Sequence, residues 1–134
     1  MELKDYQKET LNTLRRFLAA ARVEGPGTAY EAIVAEPEMA KRLKGFAGSY
    51  KALNGLDETP YVCLRLPTGG GKTLLAAESI RLAARSYLRR PYPLVLWMVP
   101  SDAIKTQTLE ALKDRTHAYR RRLDENFGGH VRVF

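Results

Sequence analysis

Residues 61–73 read YVCLRLPTGGGKT, a mostly apolar run followed by three glycines, a lysine and a threonine. The first part of this stretch, residues 61–66, is typical of a buried strand. The apolar pattern that follows the glycines predicts a helix from about residue 71 to residue 88. A strand, a glycine turn and a helix that begins near a lysine form the setting of a phosphate-binding loop, because glycines let backbone N–H groups close around phosphate oxygens.

The side chains that follow the glycines suit a nucleotide. Lys72 would place a positive charge on the terminal phosphates, and the hydroxyl of Thr73 would bind Mg²⁺. The general pattern also has a glycine six residues before the lysine, where this sequence has Leu66. The alternative interpretation is a glycine-rich turn before a helix that begins with Lys-Thr by chance.

Two further apolar runs predict strands, at residues 94–99 and 130–134. The first of them, LVLWMV, is apolar at every position, as in a parallel strand that helices cover on both faces. Cys63, Trp97 and Met98 lie in predicted strands and are therefore expected in the core. The order of elements predicts an α/β protein with a parallel sheet between layers of helices. Helical patterns occupy residues 5–22 with Asp5 as N-cap, residues from 28 with a capping box between Thr28 and Glu31, residues 37–44, residues 102–113 with Ser101 or Asp102 as N-cap, and residues 116–126.

Composition limits the possible functions. The 134 residues include 45% hydrophobic and 28% charged residues, which is the balance of one globular domain. The net charge of +7 favours a polyanionic partner such as nucleic acid, although only weakly. No signal peptide or membrane span is recognisable, so the protein is expected in the cytoplasm. His117 and His130 have no partner at the spacing of a metal site, and no zinc site is expected.

Three stretches resemble superfamily 2 (DEAD/DEAH-like) helicases and follow one another in the order of that family. PTGGGKT, residues 67–73, is similar to motif I. LKDYQKE, residues 3–9, is similar to an N-terminal element whose glutamine, here Gln7, contacts adenine. VPSDAIKTQ, residues 99–107, is similar to motif Ia, which holds the nucleic-acid backbone. The closest resemblance is to the Res subunit of type III restriction enzymes, to which YRRRLDENFGGHVRVF, residues 119–134, adds a looser match.

The resemblance implies a P-loop NTPase (RecA-like) three-layer fold, with residues 1–134 as the N-terminal part of the first ATP-binding lobe and a helical insertion at residues 23–59. It implies ATP and Mg²⁺ as cofactors, with Lys72 and Thr73 as catalytic residues and Thr73 as the Mg²⁺ ligand. It also implies sequence-tolerant contacts to the DNA backbone. The residues that match the nucleotide site are Gln7, Thr68, Gly69, Gly70, Gly71, Lys72 and Thr73, and those that match the DNA-contacting motif are Pro100, Ser101, Lys105 and Gln107.

The activity implied is that of a DNA-dependent ATPase, a helicase or translocase, in a larger protein that pairs with a modification (methyltransferase) subunit and has an associated restriction endonuclease. No membrane partner is expected. Hydrolysis in this family uses a D-E-x-H type motif at the end of a later strand, a second lobe and an arginine finger. None of these three features is recognisable in the sequence. The pair Asp124 and Glu125 is not the D-E-x-H type motif, because it lies in a polar helical pattern and not at the end of an apolar strand. We therefore expect the chain alone to bind ATP with little turnover.

Alternatives remain open. The chain could be a small P-loop kinase, or a nonhydrolysing nucleic-acid-binding module whose loop is a relic. The cluster of residues 120–122, three arginines, is either an extension of the DNA surface or a solvated helix face. An unpaired strand in a partial sheet would also favour self-association.

Overall fold

The protein is helical. The computed structural model describes residues 2–69 and 71–134. A π-helical segment, Ala83–Leu88, continues α4 without a break. The α-helices are α1 (Asp5–Glu24), α2 (Pro26–Val34), α3 (Pro37–Leu43), α4 (Lys72–Leu82), α5 (Asp102–Lys113) and α6 (Ala118–Phe127).

The predicted three-layer α/β fold with a parallel sheet is wrong for the described residues. Residues 61–66, 94–99 and 130–134, which the sequence predicts to be extended, have no regular secondary structure and form no ladder with one another. The pairing found in residues 2–69 and 71–134 is an isolated bridge between Leu53 and Leu56. A parallel strand needs backbone partners at its edges and cover on both faces. Here the first segment packs on a different core from the other two, and those two share a core without forming a ladder.

The first core lies where α1 packs against α2, α4 and the π-helical segment. Leu64 and Leu66, from the first extended segment, pack against it. Cys63 of the same segment is exposed, so its predicted position in the core is wrong. The buried members are Leu11, Leu14, Phe17, Leu18, Ala21, Ala29, Ile33, Leu75 and Leu82.

The second core lies between α4, α5 and α6. Ala77, Leu112 and Leu123 are buried there, and the other two extended segments pack against them through Trp97, Val131 and Val133. The predicted core position of Met98 is wrong, because that side chain is 80% exposed.

Helix boundaries follow the local capping chemistry. α1 begins at Asp5, but its N-cap is Lys4, whose N–H donates to the Oε1 of Gln7 at 2.9 Å. α2 begins at Pro26, which suits a first helical position because proline has no N–H to leave unpaired, so the predicted start at Thr28 is wrong. Ser101 is confirmed as the N-cap of α5: its Oγ accepts a hydrogen bond from the N–H of Ile104 at 3.3 Å.

Polar contacts attach the segment between α2 and α4 to the helices. The hydroxyl of Tyr50 accepts from the N–H of Tyr61 at 3.0 Å, and the N–H of Tyr50 donates to Glu31 at 2.8 Å. The carboxylate of Glu36 binds the guanidinium of Arg16 on α1, and this hydrogen bond lowers the pKa of Glu36 below its ordinary value. These contacts are largely exposed, so each stabilises the fold only weakly.

Arg120 is a buried side chain beside the second core that makes several hydrogen bonds. It is 5% exposed, and its Nε donates to both carboxylate oxygens of Asp124, at 3.0 and 3.1 Å. Its two terminal nitrogens donate to the carbonyls of Leu112 at 3.0 Å and Val131 at 2.9 Å. One guanidinium thus joins the end of α5, the middle of α6 and the extended segment that follows α6. Neither interpretation of the arginine cluster fits this residue, since it contacts protein on all sides.

Replacing Arg120 by methionine should destabilise the fold by about 2–4 kcal/mol, because two carbonyls and a half-buried carboxylate lose charge-assisted hydrogen bonds. Arg121→Met is the matched control, since Arg121 is the exposed neighbour on the same helix and should cost less than about 0.5 kcal/mol. Urea denaturation of both variants measures the difference. Equal losses of free energy of unfolding would contradict the role given to Arg120.

Candidate functional site

The glycine turn ends in a left-handed residue directly before α4. Gly71 has φ 78° and ψ 37° and forms the N-cap of the helix, and Gly69 also has a positive φ of 74°. Only glycine adopts such angles without strain. Thr68 and Gly69 are exposed, and Gly70 lies outside the described residues. The turn is therefore shaped by glycine conformations at both of the positions that can be described.

The first turn of α4 presents the lysine and threonine at the end of this turn. The helix starts with the hydrogen bond from the N–H of Leu75 to the carbonyl of Gly71, at 3.0 Å. Its N-cap has no side chain, so within the described residues no side chain caps the N–H groups of the first turn. Lys72 is exposed and Thr73 is half-buried. Uncapped N–H groups, the positive end of the helix dipole and an exposed ammonium group together favour an anion.

Gln7, in the first turn of α1, lies against the same glycine turn. It is 5% exposed, and a Cβ built on Gly71 would lie 3.7 Å from the Cδ of Gln7 and would overlap its Nε2. Its Oε1 accepts from the N–H of Lys4. Gln7 is therefore a buried residue at the start of α1 that sets the space available to Gly71.

A buried carboxylate anchors α4 farther along. Glu78 is 3% exposed, and its carboxylate lies 3.1 Å from Arg81, 3.3 Å from the Nε of Arg122 and 3.3 Å from the amide nitrogen of Asn126. These contacts fix α4 to α6. Sequence reasoning missed Glu78, although its position three and four residues after Leu75 and Leu74 placed it on the buried face of the helix.

The residues of the second predicted site lie at the start of α5. Pro100, Ser101, Lys105 and Gln107 are all exposed. Ser101 and Lys105 are four residues apart and share one side of the helix, whereas Gln107 points to another side. The Nζ of Lys105 lies 3.7 Å from the carboxylate of Asp102.

The structure brings Gln7, Gly71 and Lys72 together and keeps the α5 residues apart from them, because α6 packs against both α4 and α5. Asp124 and Glu125 lie on α6 and face arginines, at 3.0 Å from Arg120 and 3.8 Å from Arg122. Within residues 2–69 and 71–134, no three acidic, histidine or cysteine side chains cluster as they would around a metal ion. No helix in the same part of the chain has the length and apolar character to cross a bilayer.

Gly71→Ala should be more damaging than Gly69→Ala. Both substitutions place a side chain at positive φ, which costs about 1–2 kcal/mol. Only the alanine at position 71 also collides with the amide of Gln7, since nothing lies within 4 Å of a Cβ at Gly69. We expect an additional loss of about 1–3 kcal/mol in Gly71→Ala, as the buried amide is displaced.

Thermal or urea denaturation compares the two glycine variants, and a double variant with Gln7→Ala tests the mechanism. Removing the glutamine should recover part of the loss in Gly71→Ala and none in Gly69→Ala. Additive effects in both double variants would show that Gln7 and Gly71 are not coupled.

The sequence as a whole matches the family model described as type III restriction enzyme, res subunit, over residues 1–132. No curated protein and no solved structure matches the chain. The matched range contains the glycine turn, Gln7 and the start of α5, in agreement with the resemblance found in the sequence. The chain therefore belongs to the type III restriction enzyme res subunit family.

Proposed function

We propose that this chain is the ATP-binding portion of a DNA-dependent ATPase, a helicase or translocase of the res subunit family. The observation that carries the proposal is the left-handed Gly71 directly before α4, which leaves the N–H groups of the first helical turn uncapped beside Lys72. An anion that accepts several backbone hydrogen bonds suits this geometry. The triphosphate of ATP is such an anion.

The proposed roles follow from the chemistry of each side chain. The ammonium group of Lys72 is exposed at the mouth of the turn and would bind the terminal phosphates. The hydroxyl of Thr73, one residue farther into α4, would serve as a ligand of Mg²⁺. Thr68 and residues 69–71 would form the backbone cradle. The bound Mg²⁺ would supply charge neutralisation between the phosphates.

Gln7 has two proposed roles, and the packing supports one of them directly. Its amide lies against Gly71, so it is suited to hold the turn in a fixed shape from behind. Contact with adenine, the role that the family resemblance implies, would use the remaining hydrogen-bonding capacity of the same amide, whose Oε1 also accepts from the N–H of Lys4. We therefore propose that Gln7 couples occupancy of the base site to the shape of the phosphate site.

Binding should occur with little turnover in this chain. Hydrolysis needs a carboxylate that holds Mg²⁺ and a group that orients water. The Asp124–Glu125 pair lies on α6, where both carboxylates face arginines. The helix that follows the glycine turn is α4 and not α6. We propose no catalytic role for this pair.

DNA is the proposed macromolecular partner. Ser101 and Lys105 share an exposed side of α5, as contacts to backbone phosphates require, and the oxygen of Ser101 that caps the helix leaves its hydroxyl hydrogen available as a donor. Pro100 and Gln107 would lie at the margins of that surface. Such contacts are independent of sequence. A methyltransferase subunit, an associated endonuclease and a cytoplasmic location belong to the same proposal for the full-length protein.

Isothermal titration of Mg-ATP tests the nucleotide site. The parent chain should bind, and Lys72→Ala should weaken binding about 10- to 100-fold, since a charge-assisted bond to phosphate contributes about 1.5–3 kcal/mol. Lys113→Ala, at an exposed lysine in the last turn of α5, is the matched control and should leave the affinity unchanged. Equal affinity of the parent and Lys72→Ala would contradict the assignment of the loop. Steady-state hydrolysis that Lys72→Ala abolishes would contradict the expectation of little turnover.

The DNA proposal has a separate signature in salt dependence. Fluorescence anisotropy with a labelled duplex at increasing salt should show a linear decrease of log affinity, and Lys105→Ala should reduce the slope by about 1, for the loss of one phosphate contact. Lys41→Ala, at an exposed lysine of α3, should leave the slope as it is. An unchanged slope in Lys105→Ala would remove Lys105 from the DNA surface. An affinity for DNA that changes neither on addition of ATP nor in Lys72→Ala would favour the alternative of a nonhydrolysing nucleic-acid-binding module.

A further inference from the structure

Four arginines lie together where the π-helical segment that continues α4 ends and α1 packs against it. Arg85 and Arg89 are four residues apart in one helical run, so they are neighbours on successive turns, about 5–6 Å apart. Arg90 follows directly. From α1, the guanidinium of Arg22 donates through its Nη1 to the carbonyl of Tyr87, which brings the fourth arginine to the same place. We call this group of four side chains the arginine surface.

The arginine surface lacks compensating carboxylates. Elsewhere in the fold, Arg16, Arg42 and Arg81 each bind a carboxylate. In the part of the chain that the structure describes, the four arginines form no ion pair, and all four are exposed. Glu58 contacts this region through its backbone, since its carbonyl accepts from the hydroxyl of Tyr87 at 2.8 Å. The negative end of a helix dipole equals only about half of one elementary charge, so it does not balance four guanidinium groups.

The backbone at position 89 does not favour an arginine. Arg89 is the C-cap of the π-helical segment and has φ 53° and ψ 41°, the left-handed conformation in which helices usually end on glycine. The turn alone therefore does not account for the residue type, whereas the positive charge of the side chain does. Glycine at this position would make the same turn without the charge, which provides a substitution that leaves the backbone unstrained.

An exposed aromatic ring lies beside the arginine surface. Tyr92 is two residues after Arg90, so the two Cα atoms are within about 7 Å of each other, and Tyr92 is 61% exposed. Its ring packs against His130 with the ring centroids 5.4 Å apart and an interplanar angle of 65°. This contact orients the tyrosine while much of the side chain stays open to solvent. Proteins bind single-stranded nucleic acids with this combination, in which cations contact phosphates and bases stack on aromatic rings.

We propose that the arginine surface and Tyr92 bind single-stranded DNA through backbone phosphates and a stacked base. The inference rests on DNA as the partner under the proposed function, and it adds a contact surface that does not include the residues at the start of α5. Guanidinium groups match phosphate oxygens in pairs, and a base can stack on a side chain only when it is not stacked in a duplex. An open cavity of about 440 Å³ lined by Arg22, Tyr87 and Leu88 makes the surface concave.

Fluorescence anisotropy with a labelled oligothymidylate of about 12 nucleotides tests the arginine surface. Arg85→Gln/Arg89→Gly removes two charges, and circular dichroism checks that the variant is folded. We expect its affinity to fall about 10- to 30-fold at about 0.1 M salt, and the slope of log affinity against log salt to decrease by about 1.4, because each phosphate of a single strand contributes about 0.7. Lys41→Gln/Lys51→Gln is the matched control: it removes two charges from exposed lysines outside the arginine surface and should change neither value.

An abasic strand of the same length separates stacking from charge, because it has the same phosphates and no bases. The parent should bind it about 5- to 100-fold more weakly than the oligothymidylate. Tyr92→Leu should bind the two strands with equal affinity, and its salt slope should equal that of the parent. Equal affinity of the parent for both strands would overturn the stacking role of Tyr92.

The outcomes distinguish this inference from the proposed function. Unchanged affinity and salt slope in Arg85→Gln/Arg89→Gly would overturn the inference, while a weaker Lys105→Ala would still support the start of α5 as a DNA contact. A loss in the double variant with no change in Lys105→Ala would support the arginine surface alone. A parent that binds neither strand but binds vesicles of anionic lipid would overturn the inference and assign the arginines to a membrane surface. Titration of Mg-ATP tests the nucleotide site independently of all these results.

Discussion

The apolar face of α1 supports the rest of the molecule. Leu11, Leu14, Phe17 and Leu18 are buried where α1 packs against α2, α4 and the π-helical segment. The same face ends in Gln7, which lies against Gly71. A single amphipathic helix thus organises the first core and limits the shape of the glycine turn, so that stability and the proposed binding site depend on one surface.

α4 links the two cores because it is apolar on opposite sides. Leu75 and Leu82 face the first core, whereas Ala77 faces the second. Glu78 then fixes the helix to α6 through Arg122 and Asn126. Any ligand at the first turn of α4 therefore binds to a helix that is held on both sides, and little of its binding free energy is lost to ordering the site.

Sequence reasoning found the helices and their order, because capping and apolar spacing are local properties. α5 begins at the residue after Ser101, and α3 begins at Pro37, as the sequence predicts. Gln7 is in helical register with the buried residues Leu11, Leu14 and Leu18, so its burial could have been predicted from the spacing. A polar residue at the start of a helix is, however, easily assigned to solvent. The same holds for Arg120, whose partner Asp124 is four residues away.

The lack of a sheet in the described residues could not be predicted in the same way, because strand pairing depends on segments that are far apart in the sequence. Residues 61–66 and 94–99 have the composition of strands, but composition does not state which neighbour supplies the hydrogen bonds. The first segment packs on the first core and the second on the second core.

The π-helical segment that extends α4 gives the chain one more structural dependence. A π turn contains an extra residue relative to an α turn, and such turns typically arise where a residue has been inserted into a helix. Here the segment ends with the hydrogen bond from the N–H of Arg89 to the carbonyl of Ala84, and within the segment the hydroxyl of Tyr87 donates to the carbonyl of Glu58 at 2.8 Å. Winding Ala83–Leu88 as a regular α-helix without changing its length would turn Tyr87 away from Glu58, because each residue of an α-helix advances by about 100° and each residue of a π turn by less. The segment between α3 and α4 would then lose its hydrogen bond to Tyr87. A contact outside the helix therefore depends on how Ala83–Leu88 is wound.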